Sequence, residues 1–307
     1  MNEPIYDKIA LIGLGLIGSS ISHAARRAGA VREIRAFDAS PIAVETAQRL
    51  CLADHFAPSP AAAAEDADLV ILATPIGSFA ELAAALGTHL KPGATLSDVG
   101  SVKLAVMRDL LPHVPEGVNL IPGHPIAGTE QSGPEAGFAE LFDGRWCILT
   151  PPPGADRNAV QRLTQFWQAL GSQVDLMEAR HHDLVLAITS HIPHLIAYNI
   201  VGTAADLETV TTKEVIKYSA SGFRDFTRIA ASDPTMWRDI FLNNREAVLE
   251  ILGRFTEDLA ALQRAIRWGD GEMLFELFTR TRAIRRSIID AGQDSPLPDF
   301  GRHRPHH

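Results

Sequence analysis

Short, uniformly apolar runs separated by amphipathic stretches dominate the first half of the chain. The runs at 8–12, 34–37, 69–74, 95–98, 119–121, 147–149 and 173–176 read as strands. Those at 8–12 and 69–74 are too evenly hydrophobic to have one wet face, which predicts a parallel sheet covered on both sides. Helical periodicity falls between them, at 18–29, 41–50, 77–90 and 156–170. Near Ala179 the alternation stops, and from there to Ala291 only long helical patterns are found. Ser232-Asp233-Pro234 is a cap with proline at the first helical position, opening a helix expected to run to about Arg267. Gly269-Asp270-Gly271 breaks it, and another helix follows to Ile289. The expected division is an α/β domain over 1–178, a helical domain over 179–292 and a disordered Pro- and His-rich tail over 293–307. No internal repeat is found.

The glycine pattern refines the first domain. Gly13-Leu14-Gly15-Leu16-Ile17-Gly18 follows the first strand and opens the first helix. In that setting the first glycine allows a tight turn, the second admits a pyrophosphate close to the backbone, and the third allows close helix–strand packing. The helix start, at Leu16 and Ile17, then offers free N–H groups and a positive dipole end to the phosphates. Twenty residues beyond Gly18, at the end of the second strand, stands Asp38. A carboxylate there suits ribose hydroxyls and repels a 2′-phosphate, and neither Ala39 nor Ser40 supplies a positive charge. The expectation is a Rossmann-type doubly wound sheet that binds NAD rather than NADP, followed by an all-α domain.

Composition narrows the setting. With 307 residues the chain can bury two cores, and 46% hydrophobic with 21% charged residues excludes wholesale disorder. A net charge of −9 argues against nucleic acid or an anionic membrane surface as the main partner, while leaving room for an anionic substrate bound by local cations. No apolar run is expected to reach the roughly 20 residues of a membrane span. Residues 1–8 show neither a basic leader nor a small-residue cleavage site. Cys51 and Cys147, two and far apart, read as reduced thiols. Together these predict a cytoplasmic protein.

Polar clusters close several strands. Thr74-Pro75 ends one, Asp98-Val99-Gly100-Ser101-Val102-Lys103 follows the next, and His124 lies just past a third, within Gly123-His124-Pro125-Ile126-Ala127-Gly128-Thr129-Glu130. Open α/β sheets bind ligands at the carboxyl ends of strands. The glycines and proline around His124 predict a turn, and histidine titrates where acid–base chemistry is needed near neutral pH.

The helical half supplies its own candidates. His191-Ile192-Pro193-His194 places two histidines on one helix face beside a proline kink. A metal pair, a structural pair at the kink and hydrogen bonding to an anionic substrate are all readings of it. No nearby carboxylate or cysteine completes a zinc set, so no metal is expected. In Gly222-Phe223-Arg224-Asp225-Phe226-Thr227-Arg228, two arginines four residues apart share a helix face amid apolar neighbours and suit a carboxylate.

Taken in order, the glycine loop, 98–103, 123–130, Ser190-His191-Ile192-Pro193-His194 and 222–228 resemble the prephenate and arogenate (cyclohexadienyl) dehydrogenases of tyrosine biosynthesis, over roughly residues 8–290. The resemblance implies a homodimer formed through the helical domain, which also binds substrate. It implies that His124 takes the proton of the substrate 4-hydroxyl, that Ser101 bonds the same region and helps place the nicotinamide, and that His194 contacts the substrate. Arg228 resembles the arginine that holds a substrate carboxylate. Arg224 stands where some relatives carry lysine, and Glu130, Asp225 and Trp237 match positions near the site entrance. The implied reaction is NAD-dependent oxidative decarboxylation: hydride leaves C4, and loss of the C1 carboxylate as CO₂ makes the ring aromatic.

Two alternatives remain beside it. One is another two-domain dehydrogenase, of the β-hydroxyacid dehydrogenase or imine reductase type, for which Lys213 and Lys217 are the nearest candidate lysines. The other is a non-catalytic NAD-binding sensor.

Overall fold

The strands β1 (Tyr6–Ile12), β2 (Val31–Phe37), β3 (His55–Phe56), β4 (Leu69–Leu72), β5 (Thr95–Asp98) and β6 (Asn119–Leu120) form one sheet of order β3-β2-β1-β4-β5-β6. Every pairing in it is parallel. This is a computed structural model, and it describes residues 3–129, 131–206 and 221–290. The evenly apolar strands are explained by burial on both faces. Ile9, Leu11, Leu69 and Ile71 belong to one core, whereas Ala10, Ile12, Val70 and Leu72 belong to another. That alternation is the two-residue period of a strand with a hydrophobic layer on each side.

Helices α1 (Leu16–Ala28), α2 (Pro41–Arg49), α3 (Pro60–Ala64), α4 (Phe79–Leu86), α5 (Lys103–Leu110) and α6 (Arg157–Ala169) lie between or after these strands. Ser40, Ser59 and Asp156 cap α2, α3 and α6 through their side chains, as their chemistry dictates. Two of the expected strands leave the parallel sheet. β7 (Gly123–Pro125), β8 (Trp146–Leu149) and β9 (Gln173–Leu176) make a separate three-stranded sheet in which β7 runs antiparallel to β8. Pro122 is the reason the β5–β6 ladder ends: Ile121 still donates to Leu96, but the next residue has no amide to give. β3, β7 and α3 escaped the sequence pattern because each is too short to show a period, and α5 was not among the expected helices.

Beyond Ala179 the described residues are helical, as the pattern predicts. The elements are α7 (Ala179–Leu186), a π-helical turn (Ala187–His191), α8 (Ile192–Asp206), α9 (Ser221–Thr227), a 3-10 turn (Arg228–Ala231), α10 (Pro234–Asn243), α11 (Arg245–Trp268) and α12 (Gly271–Asp290). Asp233 caps α10 with Pro234 in its first turn, as expected. The single helix expected from there to Arg267 is instead two, broken at Asn244 with φ −104° and ψ 31°. The expected kink at Pro193 takes the form of the wide π turn, since proline cannot donate to the carbonyl of Thr189.

The chain divides into two compact units, Met1–Leu249 and Glu250–His307. The first helices after 178 therefore share a unit with the sheets, and Trp237 and Ile240 join the core that contains Phe79 and Leu72. One expectation is corrected. The continuous helical stretch Ala179–Asp206 is long and apolar enough, by length and composition, to cross a membrane. It nevertheless contains buried polar side chains bonded to other elements of the same unit, as a core helix does.

Candidate active site

The loop after β1 shows three different uses of glycine. Gly13 has φ +98°, and a Cβ there would lie 2.7 Å from the Ala73 carbonyl oxygen. A Cβ on Gly18 would collide with the Gly13 carbonyl oxygen, so this glycine lets α1 sit against the loop. Around Gly15, by contrast, a Cβ would meet nothing within 4 Å. The open glycine stands at the start of α1, where the unpaired amides of Leu16, Ile17 and their neighbours gather. Asp38, just past β2, accepts the Leu14 amide at 2.8 Å through one oxygen and the Ser40 amide at 2.8 Å through the other. Thr74 packs on the loop side of Gly13, and its hydroxyl is 2.8 Å from that of Ser78 beside Pro75. An open backbone cradle, a helix start and a carboxylate at the second strand end together fit a dinucleotide.

The segments carrying Ser101 and His124 are held together by a buried lysine. Lys103 Nζ donates at 2.5 Å to both Asp98 Oδ2 and the Gly123 carbonyl oxygen, and the Gly123 amide donates back to Asp98 Oδ1 at 3.2 Å. The Gly100 amide also donates to Asp98 at 2.7 Å, shaping the turn that presents the half-buried Ser101. Burial pushes the Asp98 carboxyl up and the Lys103 ammonium down, and the attraction between the two opposes both shifts.

His124 is not in a turn. It is the middle residue of β7, opposite Ile148 of β8, with only 8% of its surface exposed. A strand anchors its backbone more firmly than the predicted turn would. Its Nδ1 lies 2.9 Å from Nε2 of His182, whose Nδ1 lies 2.8 Å from Asp183 Oδ1. Burial holds His124 well below the ordinary histidine value, and the positive charge of Lys103 and the neighbouring His182 and His191 add to this. The group is neutral at physiological pH and is therefore competent to accept a proton. His182 is lowered too, chiefly by burial, against the opposing pull of Asp183.

Asp183 also caps α5 from another helix. Its two oxygens accept the Lys103 amide at 2.7 Å and the Leu104 amide at 2.9 Å. Asn244, at the break after α10, donates to the Asp183 carbonyl at 2.9 Å and lies 3.0 Å from His191 Nδ1. The His191 proton then sits on Nε2, which is buried without a hydrogen-bond partner among the described residues. Burial lowers His191 to about 4.

The two histidines flanking Pro193 divide their roles. His191 is fully buried in the polar core, whereas His194 donates through Nδ1 to the Ser190 carbonyl at 2.8 Å and stacks on Trp237 at 3.7 Å between ring centroids. Trp237, expected near the entrance, is in fact 6% exposed and serves as the packing surface for His194. Arg228 begins the 3-10 turn after α9, near enough for its charge to reinforce the effect of burial in lowering His194. Arg224 is exposed on α9, one turn earlier. Glu130, Lys213 and Lys217 lie outside the described residues. Among the described residues, no group of three or more His, Cys, Asp or Glu is arranged to hold a metal ion.

Sequence reasoning missed His182, Asp183 and Asn244 and gave Lys103 no role. The available signal was polarity at the edge of an apolar stretch: His182-Asp183 directly precedes Leu184-Val185-Leu186, and Lys103 sits between valine and leucine.

A family model described as prephenate dehydrogenase, nucleotide-binding domain, matches residues 21–176. A second, prephenate dehydrogenase, dimerization domain, matches residues 178–280. The chain is 39% identical to a cyclohexadienyl dehydrogenase of Zymomonas mobilis, over 92% of this chain and 97% of that protein. It is 32% identical to a prephenate dehydrogenase of Bacillus subtilis, over 98% of this chain and 80% of the relative. Among solved structures, prephenate dehydrogenase from A. aeolicus in complex with hydroxyphenyl propionate and NAD+ superposes with a TM-score of 0.84 at 34% identity, covering 92% of this chain and 98% of that one.

Proposed function

This chain belongs to the prephenate dehydrogenase family, and from that premise we propose that it carries out NAD-dependent oxidative decarboxylation of prephenate to 4-hydroxyphenylpyruvate, of arogenate to tyrosine, or of both, in tyrosine biosynthesis. In this reading residues 1–178 bind the dinucleotide, and residues 179–292 bind the substrate and pair two subunits into a homodimer in the cytoplasm. The observation that carries the reading is a neutral, buried histidine on a strand next to the nucleotide loop's own sheet.

The chemistry follows from the residues. NAD⁺, when bound, accepts the hydride that leaves C4. The glycine loop and the start of α1 would hold its pyrophosphate, and Asp38 would take the ribose hydroxyls with its remaining lone pairs. Ser101 hydrogen-bonds near the C4 hydroxyl, and His124 removes its proton as the hydride departs. Loss of CO₂ from C1 aromatises the ring and makes the reaction irreversible. Base catalysis of this kind contributes about 10²–10⁴-fold. Arg228 pairs with a substrate carboxylate, His194 lines the ring site against Trp237, and Arg224 and Glu130 complete the substrate side, whereas His191, expected to bind substrate, is fully buried against Asn244 and braces the core behind it.

Initial rates of NADH formation with prephenate and with arogenate, each repeated with NADP⁺, test the reading. Turnover with at least one substrate and a higher kcat/KM for NAD⁺ is expected. No NADH from either substrate would overturn it.

A further inference from the structure

We propose that His182 and Asp183 form a positioning relay that fixes the tautomer of His124, keeping its proton on Nδ1 and its Nε2 lone pair free for the substrate. The inference rests on the reading of His124 as the catalytic base and adds two residues to that site. It begins at Asp183, whose carboxylate accepts the Lys103 and Leu104 amides. Backbone amides can only donate, so the carboxylate acts as an acceptor throughout, and the contact from His182 Nδ1 at 2.8 Å is an N–H donated to Oδ1. A neutral imidazole with its proton on Nδ1 presents a lone pair on Nε2. The 2.9 Å contact between that Nε2 and His124 Nδ1 therefore needs a proton from His124. Each bond thus dictates the next, and the chain ends with His124 Nε2 as an acceptor.

The remaining neighbours agree. His182 is completely buried and Asp183 nearly so, so water does not compete for these bonds. Both residues sit in α7, whose position is set by the α5 amides on one side and by Asn244 on the Asp183 carbonyl on the other. When His124 takes the substrate proton on Nε2, it becomes an imidazolium that still donates through Nδ1 to His182. Asp183, bonded to the far nitrogen of His182, holds that ring as the acceptor throughout. No second proton need move. Asp183 also caps the helix that follows the Ser101 turn, so one carboxylate braces both the His124 relay and the segment next to Ser101.

The test is made on the intact protein. Nitrogen-15 spectra of histidine-labelled enzyme at pH 7.5 should show a protonated Nδ1 and a bare Nε2 on His124. His182→Phe should lower kcat about 10- to 100-fold, the range known for hydrogen-bond partners that orient a metal-bound histidine. KM for substrate and the Kd for NAD⁺ should stay within about twofold. His182→Gln, whose amide oxygen can reach the position of the lost Nε2, should recover a large part of kcat, which a purely packing role for the ring would not allow. A His124 protonated on Nε2, or a folded His182→Phe enzyme with kcat within about twofold of the parent, would overturn the inference. Should neither variant fold, the spectrum of the parent enzyme decides alone. His124→Gln is the control: if it keeps its kcat, the base assignment fails, whereas an inactive His124→Gln beside a fully active His182→Phe removes only the relay.

Discussion

Lys103 Nζ lies 2.5 Å from Asp98 Oδ2, and neither side chain has any exposed surface. The pair joins the end of β5 to the Gly123 carbonyl just before His124. Removing one partner of a buried ion pair leaves the other uncompensated, which costs more than the pair contributes. Lys103→Met is expected to destabilise the protein by about 3–5 kcal/mol, measured by denaturant unfolding. Lys103→Met combined with Asp98→Asn should recover part of the loss. A single variant as stable as the parent would contradict this account.

His124→Gln should retain the fold and the affinity for NAD⁺ while losing about 10²–10⁴-fold in kcat. Steady-state kinetics together with fluorescence titration of the cofactor separate the two effects.

The pH dependence follows from the direction of the histidine shifts. His124 must be neutral to act, and burial holds it well below the ordinary value. The acid limb of the kcat/KM profile should therefore fall below pH 6.5, with activity lost as pH drops through it. Stability has the same sign. His191 is lowered to about 4 in the folded protein, so the unfolded chain binds more protons between that value and the ordinary one. Its contribution, on the order of 3 kcal/mol, is present above pH 6.5 and lost as pH falls towards 4. Urea midpoints across this window check the sign.

The glycine loop offers a paired contrast. Gly18→Ala drives a methyl into the Gly13 carbonyl, so unfolding should become easier by about 1–3 kcal/mol. Gly15→Ala meets no protein atom within 4 Å and should leave the melting temperature nearly unchanged. It should weaken NAD⁺ by tenfold or more, equivalent to about 1.4 kcal/mol. Calorimetry on both variants distinguishes the two roles.

Arg228→Ala should raise KM for substrate by on the order of 2–3 kcal/mol with a smaller change in kcat, as expected when a charged hydrogen bond to a carboxylate is lost. A larger effect on kcat would mean that the arginine acts on the transition state.

The parallel sheet was legible because Ile9–Ile12 and Leu69–Leu72 are buried on both faces and so carry no polar alternation. The glycine loop was legible because three glycines and Asp38 keep a spacing that phosphate and ribose dictate. The setting of His124 was not. Gly123 and Pro125 suggest a turn, and only the pairing with β8, some twenty residues further on, makes a strand of it. The break at Asn244 was hidden for a similar reason, because its side chain is drawn to His191 and the Asp183 carbonyl by contacts distant in sequence. His182 and Asp183 showed only as the end of a polar run before Leu184-Val185-Leu186, since the other elements they touch lie more than fifty residues away in the chain, before and after them.

Asp38 takes the Leu14 amide with the same carboxylate proposed to receive the ribose, and this constrains how cofactor preference can drift. A substitution that removes both side-chain oxygens to admit a 2′-phosphate also unties the glycine loop from the second strand. Acquiring NADP by that route therefore takes at least two changes, one to receive the phosphate and one to brace the loop again. An intermediate with only the first would bind either dinucleotide poorly, which places a fitness valley between the two specificities.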